Sequence, residues 1–318
     1  MQDTKAIASY ECMNACIVNH MRQAGVNVSG SDIYFAGAGY PITYRKGSLT
    51  RISSEGYEAN FRFLDEYHIA YQFGRVSPEK ETLLTCLSKP YTVTIRMVSD
   101  FLTYDRVFSQ TSGASHFVNI LAYDEARGQF FIVDGDVPSA KTGCFSGWID
   151  EADILAGWRI KQGELLQMDI SNGSVMTDLC RKVRDKANQN VKQGIEMYLT
   201  GKVNPFWKEA TGEQAILCMA KQLGKYVKKG DFNMLAHDAN FRLRVDGFLG
   251  MKNFLLEKLI EQENPLREDY EDVIQEWSKW CMLLLKCGIL KSKENFARVY
   301  ERLEEVVARE REVLQKLM

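Results

Sequence analysis

Three side chains carry the chemistry this sequence offers: the thiol of Cys12, the imidazole of His116 and the carboxylate of Asp134. A cysteine nucleophile needs a base to take its proton and a third group to orient that base. Cys12 follows Tyr10-Glu11 and opens an apolar run that ends at Gly25. This pattern predicts a helix over residues 12–25 with a glycine just past its end. A thiol on a first helical turn feels the positive end of the helix dipole, which favours thiolate. His116 heads the apolar run 116–123, and Asp134 closes the run 129–133. The turn Asp124-Glu125-Ala126-Arg127-Gly128 between them suits a β-hairpin. In such a hairpin His116 and Asp134 share one edge, where the acid can hold one imidazole nitrogen while the other faces the thiol.

The same residue types also have rival uses. Cys16 lies one turn inside the helix beside Ile17, Val18 and Met21, where a cysteine is a small buried hydrophobe. Cys86, Cys180, Cys218, Cys281 and Cys287 lie in apolar patterns of the same kind, Cys144 sits in a loop, and no CxxC pair occurs. Asp136 competes with Asp134 for the orienting role. Cys12, Cys16 and His20 fall at i, i+4 and i+8, which separates the outer two by ~12 Å along the axis, too far to share one ion. No metal site is expected. Gly37 and Gly39 lack the strand and the GxGxxG or GK[ST] context of a phosphate loop; a substrate-facing turn with close backbone approach is expected at Gly37, Gly39 and Tyr40.

The elements that must position these groups follow from periodicity. A helical segment is expected over 56–68 and a strand over 69–73. Next come a short helix over 78–87 and a strand over 90–98 rich in β-branched residues. Residues 99–115 form a long loop carrying Asp100, Tyr104 and Asp105, a length typical of binding elements. Residues 139–170 read as mixed, with a turn into a short helix at 147–152 and a closing strand near 164–170. From 175 onward the chain reads as helical throughout, over roughly 175–198, 211–227, 232–262, 266–287 and 292–318. Ser171-Asn172-Gly173-Ser174 marks the expected boundary between a domain of residues 1–172 and a helical domain of 173–318. The last helix carries Phe296, Val299, Leu303, Val306 and Val307 on one side, to pack within the chain or across a homodimer.

Composition sets the compartment and the partners. With 318 residues, 45% hydrophobic and 26% charged, the chain has ample material for a core. A formal net charge of -2 gives no general attraction to nucleic acid or to an anionic membrane. No run of about 18 apolar residues predicts a membrane span, and Met-Gln-Asp-Thr-Lys lacks the apolar core of a signal peptide. A cytoplasmic protein with free thiols is expected.

The run from Cys12 to Gly25 resembles the cysteine-to-glycine helix of C39-like and related papain-fold enzymes. With Ser31-Asp32-Ile33-Tyr34-Phe35-Ala36-Gly37-Ala38-Gly39, the stretch 98–104, Ser115-His116-Phe117-Val118 and Val133-Asp134-Gly135, residues 8–170 are similar to the butirosin biosynthesis protein H family. The resemblance implies an α+β chain: a papain-like domain, with an N-terminal helix and an antiparallel sheet, followed by an all-α domain. It implies acyl transfer from the phosphopantetheine of an acyl carrier protein, through a thioester on Cys12, to a small-molecule amine, with His116 as base, Asp134 as orienting acid and no bound cofactor. A peptidase or amidase using the same triad and an inactive module that binds a carrier protein are the alternatives. Met13 and Asn14 depart from the small or hydroxylated residues usual in that family. No oxyanion glutamine precedes Cys12 closely, since Gln2 is ten residues upstream, so the N–H of Cys12 and a neighbouring amide are expected to serve. Asp100, Tyr104 and Asp105 are candidates to meet a cationic amine.

Overall fold

The computed structural model describes residues 5–45, 51–53, 56–107, 113–170, 176–204, 209–245 and 248–318. The fold is mixed α+β, with antiparallel sheets and a helical C-terminal region. No helix among the described residues is long and apolar enough to cross a membrane. The chain divides into two compact units, Met1–Ile33 with Asn60–Arg184, and Tyr34–Ala59 with Asp185–Met318. They are not contiguous in sequence, and the boundary expected at 172 lies outside the described residues.

In chain order the first elements are α1 (Cys12–Gln23), α2 (Gly30–Ala36), β1 (Thr43–Arg45), β2 (Arg51–Ser53), α3 (Gly56–Glu66), β3 (Tyr71–Arg75), α4 (Lys80–Leu87) and β4 (Thr94–Val98). After a short 3₁₀ turn at Ser99–Phe101 follow β5 (Ser115–Asp124), β6 (Gln129–Asp134), β7 (Phe145–Asp150), α5 (Glu151–Ile160) and β8 (Glu164–Met168). The first unit is built on a six-stranded sheet of order β3-β8-β4-β5-β6-β7 whose neighbours all run antiparallel. The hairpin of β5 and β6 forms as expected, with Asn119 opposite Val133. β7 was not expected as a strand. Its Phe-Ser-Gly-Trp-Ile-Asp sequence alternates weakly, and pairing with β6 along its whole length determines its conformation.

The period of two sends alternate residues of this sheet to different layers. Ile95, Val118, Ile120, Phe130 and Ile132 join Leu83 of α4 and Ile154 and Trp158 of α5 in a core with almost no exposure. Each such side chain contributes about 1.5–3 kcal/mol by leaving water. The intervening residues Thr94 and Asn119 meet α1 through a polar chain. The Asn119 amide donates to the Cys16 carbonyl oxygen at 2.9 Å and accepts from the Thr94 hydroxyl at 2.7 Å. With its own hydrogen committed to Asn119, that hydroxyl accepts from His20 Nε2–H at 3.0 Å. Buried polar groups demand such partners, so the chain fixes the helix on the sheet in one rotational setting.

The second unit holds α6 (Met176–Leu199) from Asp185 onward, β9 (Val203–Asn204), β10 (Glu209–Thr211), α7 (Gly212–Lys229), α8 (Phe232–His237), α9 (Phe248–Glu261), α10 (Arg267–Leu290) and α11 (Lys293–Lys316). Helices dominate, but a small antiparallel sheet of order β2-β1-β10-β9 interrupts the expected all-helical run. β1 pairs with β10 from Thr43 opposite Thr211 to Arg45 opposite Glu209, which ties an N-terminal segment to this unit. The helix expected over 232–262 is divided by a π-helical stretch at Asp238–Val245. Val299, Leu303, Val306 and Val307 are buried on α11, which packs on α10. At the centre lies a buried ion pair. Lys252 Nζ donates to Glu310 Oε1, and Glu310 Oε2 accepts from Tyr198 Oη at 2.7 Å and Trp277 Nε1 at 3.0 Å.

Candidate active site

Glu11 determines where α1 begins. Its carboxylate accepts the free amide hydrogens of Met13 at 3.0 Å and Asn14 at 2.7 Å, two of the four donors a helix start leaves unsatisfied. Cys12 is therefore the first residue of the helix, and its thiol is half-buried. The Asn60 amide holds the second Glu11 oxygen at 2.7 Å, and the Asn60 oxygen accepts from Asn14 Nδ2 at 3.0 Å. Ser9 Oγ donates to Asn14 Oδ1 at 2.6 Å, closing a buried polar network beneath the thiol. Cys12 Sγ points its hydrogen at Glu11 Oε1, 3.6 Å away.

His116 is the second residue of β5 and Asp134 the last of β6, so antiparallel pairing leaves both at one end of the sheet. His116 Nε2 lies 2.8 Å from Asp134 Oδ2, with both side chains almost fully buried. The same carboxylate oxygen accepts from the Tyr104 hydroxyl at 2.6 Å, and the other oxygen accepts the Asp136 N–H at 2.9 Å. Tyr104 stacks on Phe145 with ring centres 4.0 Å apart, which holds its hydroxyl in place. Gly135 lets this turn approach α1, because a Cβ there would stand 2.2 Å from the Ile7 carbonyl oxygen and 3.0 Å from Ala15 Cβ. The Ser9 amide closes the contact by donating to the Gly135 carbonyl at 2.7 Å.

Cys12 Sγ, a ring nitrogen of His116 and a carboxylate oxygen of Asp136 all lie within 4.8 Å of one another. Thiol, imidazole and the Asp134 and Asp136 carboxylates thus gather at the end of one sheet, with Asp136 near both the thiol and the imidazole. Burial pushes the Cys12 thiol well above its usual range, the Glu11 and Asp136 carboxylates push the same way, and the backbone amide of Phe117 opposes them. The expectation of a thiol primed as thiolate by the helix dipole is corrected here. The carboxylate of Glu11 occupies the positive end of α1, and its charge counters the dipole at Sγ. Burial lowers the basicity of His116, but the Asp134 charge and hydrogen bond, together with the Asp136 and Glu11 charges, outweigh it and leave the imidazole more basic than usual. Burial raises Asp136 to about 7, with His116 opposing and the Asp134, Glu11 and Asp105 carboxylates reinforcing.

The remaining candidates divide by place. Tyr104 belongs to the site through Asp134. Asp100 accepts from the Gly113 amide at 2.9 Å, and Asp105 is buried and held by Ser139, whose N–H and hydroxyl donate to it at 2.9 and 2.6 Å. Gly37, Gly39 and Tyr40 pack within the second unit. A Cβ at Gly37 would meet the Ala59 carbonyl oxygen at 2.0 Å, one at Gly39 the Tyr34 carbonyl oxygen at 2.6 Å, and Tyr40 is fully buried with its hydroxyl 3.2 Å from that of Tyr270. The close backbone approach expected of this turn is made to its own chain. Cys16 is buried in α1 as expected. Gln2 lies outside the described residues. Glu11 and Asn60 were not singled out from the sequence. An acid just before a helix start was the available signal for Glu11, whereas Asn60 reaches it across 49 positions.

No protein-family model matches the chain, and no curated protein matches it in sequence.

Proposed function

We propose that this protein is a papain-like cysteine acyltransferase of the butirosin biosynthesis protein H type, forming an amide from an acyl thioester and an amine. The observation that supports this reading is the convergence of Cys12 at the start of α1 with His116, whose Nε2 lies 2.8 Å from Asp134 Oδ2. Because the thiol keeps its proton at rest, His116 acts as general base at the moment of attack. The ring nitrogen facing Cys12 takes the thiol proton as sulfur adds to the thioester carbonyl of the donor. The Cys12 N–H, a first-turn amide not held by Glu11, donates to the oxyanion of the adduct in this reading. Collapse of the tetrahedral adduct expels the phosphopantetheine thiol of an acyl carrier protein, which leaves with the proton returned by His116. The amine acceptor then adds to the Cys12 thioester while His116 removes its proton, and collapse yields the amide and the free thiol. Tyr104 and Asp134 keep the imidazole oriented through both halves. This reading places the chemistry in a reducing cytoplasm, where a catalytic thiol stays reduced.

Intact-mass analysis after incubation with an acyl-carrier thioester tests the proposal. The expected result is a one-acyl adduct absent from Cys12→Ala and discharged by added amines faster than by water. Adduct formation in Cys12→Ala would overturn the assignment, and discharge to water alone would make the protein a hydrolase.

A further inference from the structure

The three atoms that meet at the site are also a metal donor set. Thiolate, imidazole and carboxylate together suit a borderline divalent ion, and three protein ligands with an open fourth position form a recurrent zinc arrangement. Bonds of about 2.0–2.3 Å place neighbouring donors of a tetrahedral zinc site about 3.3–3.8 Å apart. The atoms of Cys12, His116 and Asp136 lie within 4.8 Å of one another, so side-chain adjustments of about 1 Å close them around an ion. They come from the first turn of α1, the start of β5 and the residue two beyond β6, which lets them surround a point rather than line a surface.

Two further features suit a bound cation. Metal-ligating histidines give their other ring N–H to a carboxylate or carbonyl, which fixes the lone pair toward the ion. His116 has that partner in Asp134, itself held by Tyr104 and by the Asp136 amide. Among the described residues, no donor is hydrogen-bonded to the Asp136 carboxylate, which leaves its oxygens available beside the thiol.

We propose that Cys12, His116 and Asp136 bind one zinc ion, and that the ion reversibly silences the thiol. On binding, the Cys12 S–H bond breaks, sulfur donates its pair to Zn²⁺ and the proton passes to solvent. The His116 lone pair that would accept the thiol proton is then donated to the ion, so the metal-bound and acylating states exclude each other. The silencing rests on Cys12 being the nucleophile; the binding does not.

Cobalt(II) titration of the full-length chain, freed of metal by chelator, tests the binding. One equivalent should produce thiolate-to-cobalt charge-transfer absorption that zinc abolishes by displacement. The band should vanish in Cys12→Ser, and affinity should fall about tenfold or more in Asp136→Asn, with circular dichroism showing both variants folded. Absence of the band, its survival in Cys12→Ser, or unchanged affinity in Asp136→Asn would each overturn the site. Acyl-adduct formation by the metal-free protein, slowed by stoichiometric zinc and restored by chelator, is expected in parallel. If cobalt binds as described but the metal-free protein never acylates, the transfer reading fails while the metal site stands.

Discussion

His116 Nε2 and Asp134 Oδ2 are 2.8 Å apart, and the Tyr104 hydroxyl reaches the same oxygen at 2.6 Å while the Asp136 amide occupies the other. Asp134 therefore faces donors on both oxygens and has no place for an amide NH₂. Asp134→Asn must set its Nδ2 against either the Asp136 N–H or the pair of donors on Oδ2. Acylation of Cys12 is expected to slow by about 10²–10⁴, as it does when the orienting acid of a triad is replaced by its amide. Tyr104→Phe removes one donor and leaves the imidazole held, so a loss of about tenfold or less is expected. Single-turnover rates of adduct formation check the order of the two variants; an Asp134→Asn rate within twofold of wild type would refute the orienting role.

Gly135 is the contact point between the acidic turn and α1. A methyl group there meets a backbone oxygen at 2.2 Å, and backbone cannot swing aside as a side chain can. Gly135→Ala is expected to displace Asp134 and Asp136 and to destabilise the first unit by about 1–3 kcal/mol. Urea denaturation and the rate of adduct formation should both fall; if neither changes, the close approach is not required.

His20 makes stability depend on pH. It gives Nε2–H to Thr94, its Nδ1 is buried with no partner among the described residues, and burial lowers its pKa to about 4. As pH falls, the unfolded chain takes up the proton near pH 6.5 while the folded chain resists until about 4. Stability that is full above pH 6.5 is thus lost on acidification toward 4, by about 3 kcal/mol in all. His20→Gln should be less stable at pH 7 and lose less between pH 7 and 4.5. Urea midpoints at the two pH values measure this, and equal acid losses in both proteins would exclude the mechanism.

Glu310 is 1% exposed and is the carboxylate partner of Lys252 in the second unit, so its removal leaves a buried ammonium uncompensated. Glu310→Leu is expected to cost about 3–5 kcal/mol, whereas Glu310→Leu with Lys252→Met should recover most of it. Thermal or urea unfolding of the single and double variants decides. A double variant as unstable as the single would mean that the pair's other hydrogen bonds, to Tyr198 and Trp277, dominate.

Local order in the chain was enough to set Cys12 at a helix start and Asp134 beside His116. The apolar period after Tyr10-Glu11 set the start of a helix at Cys12, and the apolar runs on either side of Asp124–Gly128 set a hairpin that returns Asp134 to His116. Both depend on contacts a few residues long, so pattern and structure agree. β7 and the pairing of β1 with β10 escaped the same reading, since short strands of weak alternation take their conformation from partners; β1 lies more than 160 residues from β10. The state of the thiol was likewise decided by folding. A helix start alone predicts a lowered pKa, but burial together with Glu11 and Asp136 reverses the direction. Tyr104, read as a loop residue for substrate, was turned onto Asp134 by stacking on Phe145. The sequence by itself determined which groups could react, because helix starts and hairpin ends are local. Only the tertiary structure decided their charge, their distances and the place of Asp136 beside the thiol, because desolvation and Coulomb interactions depend on what the whole chain packs around them.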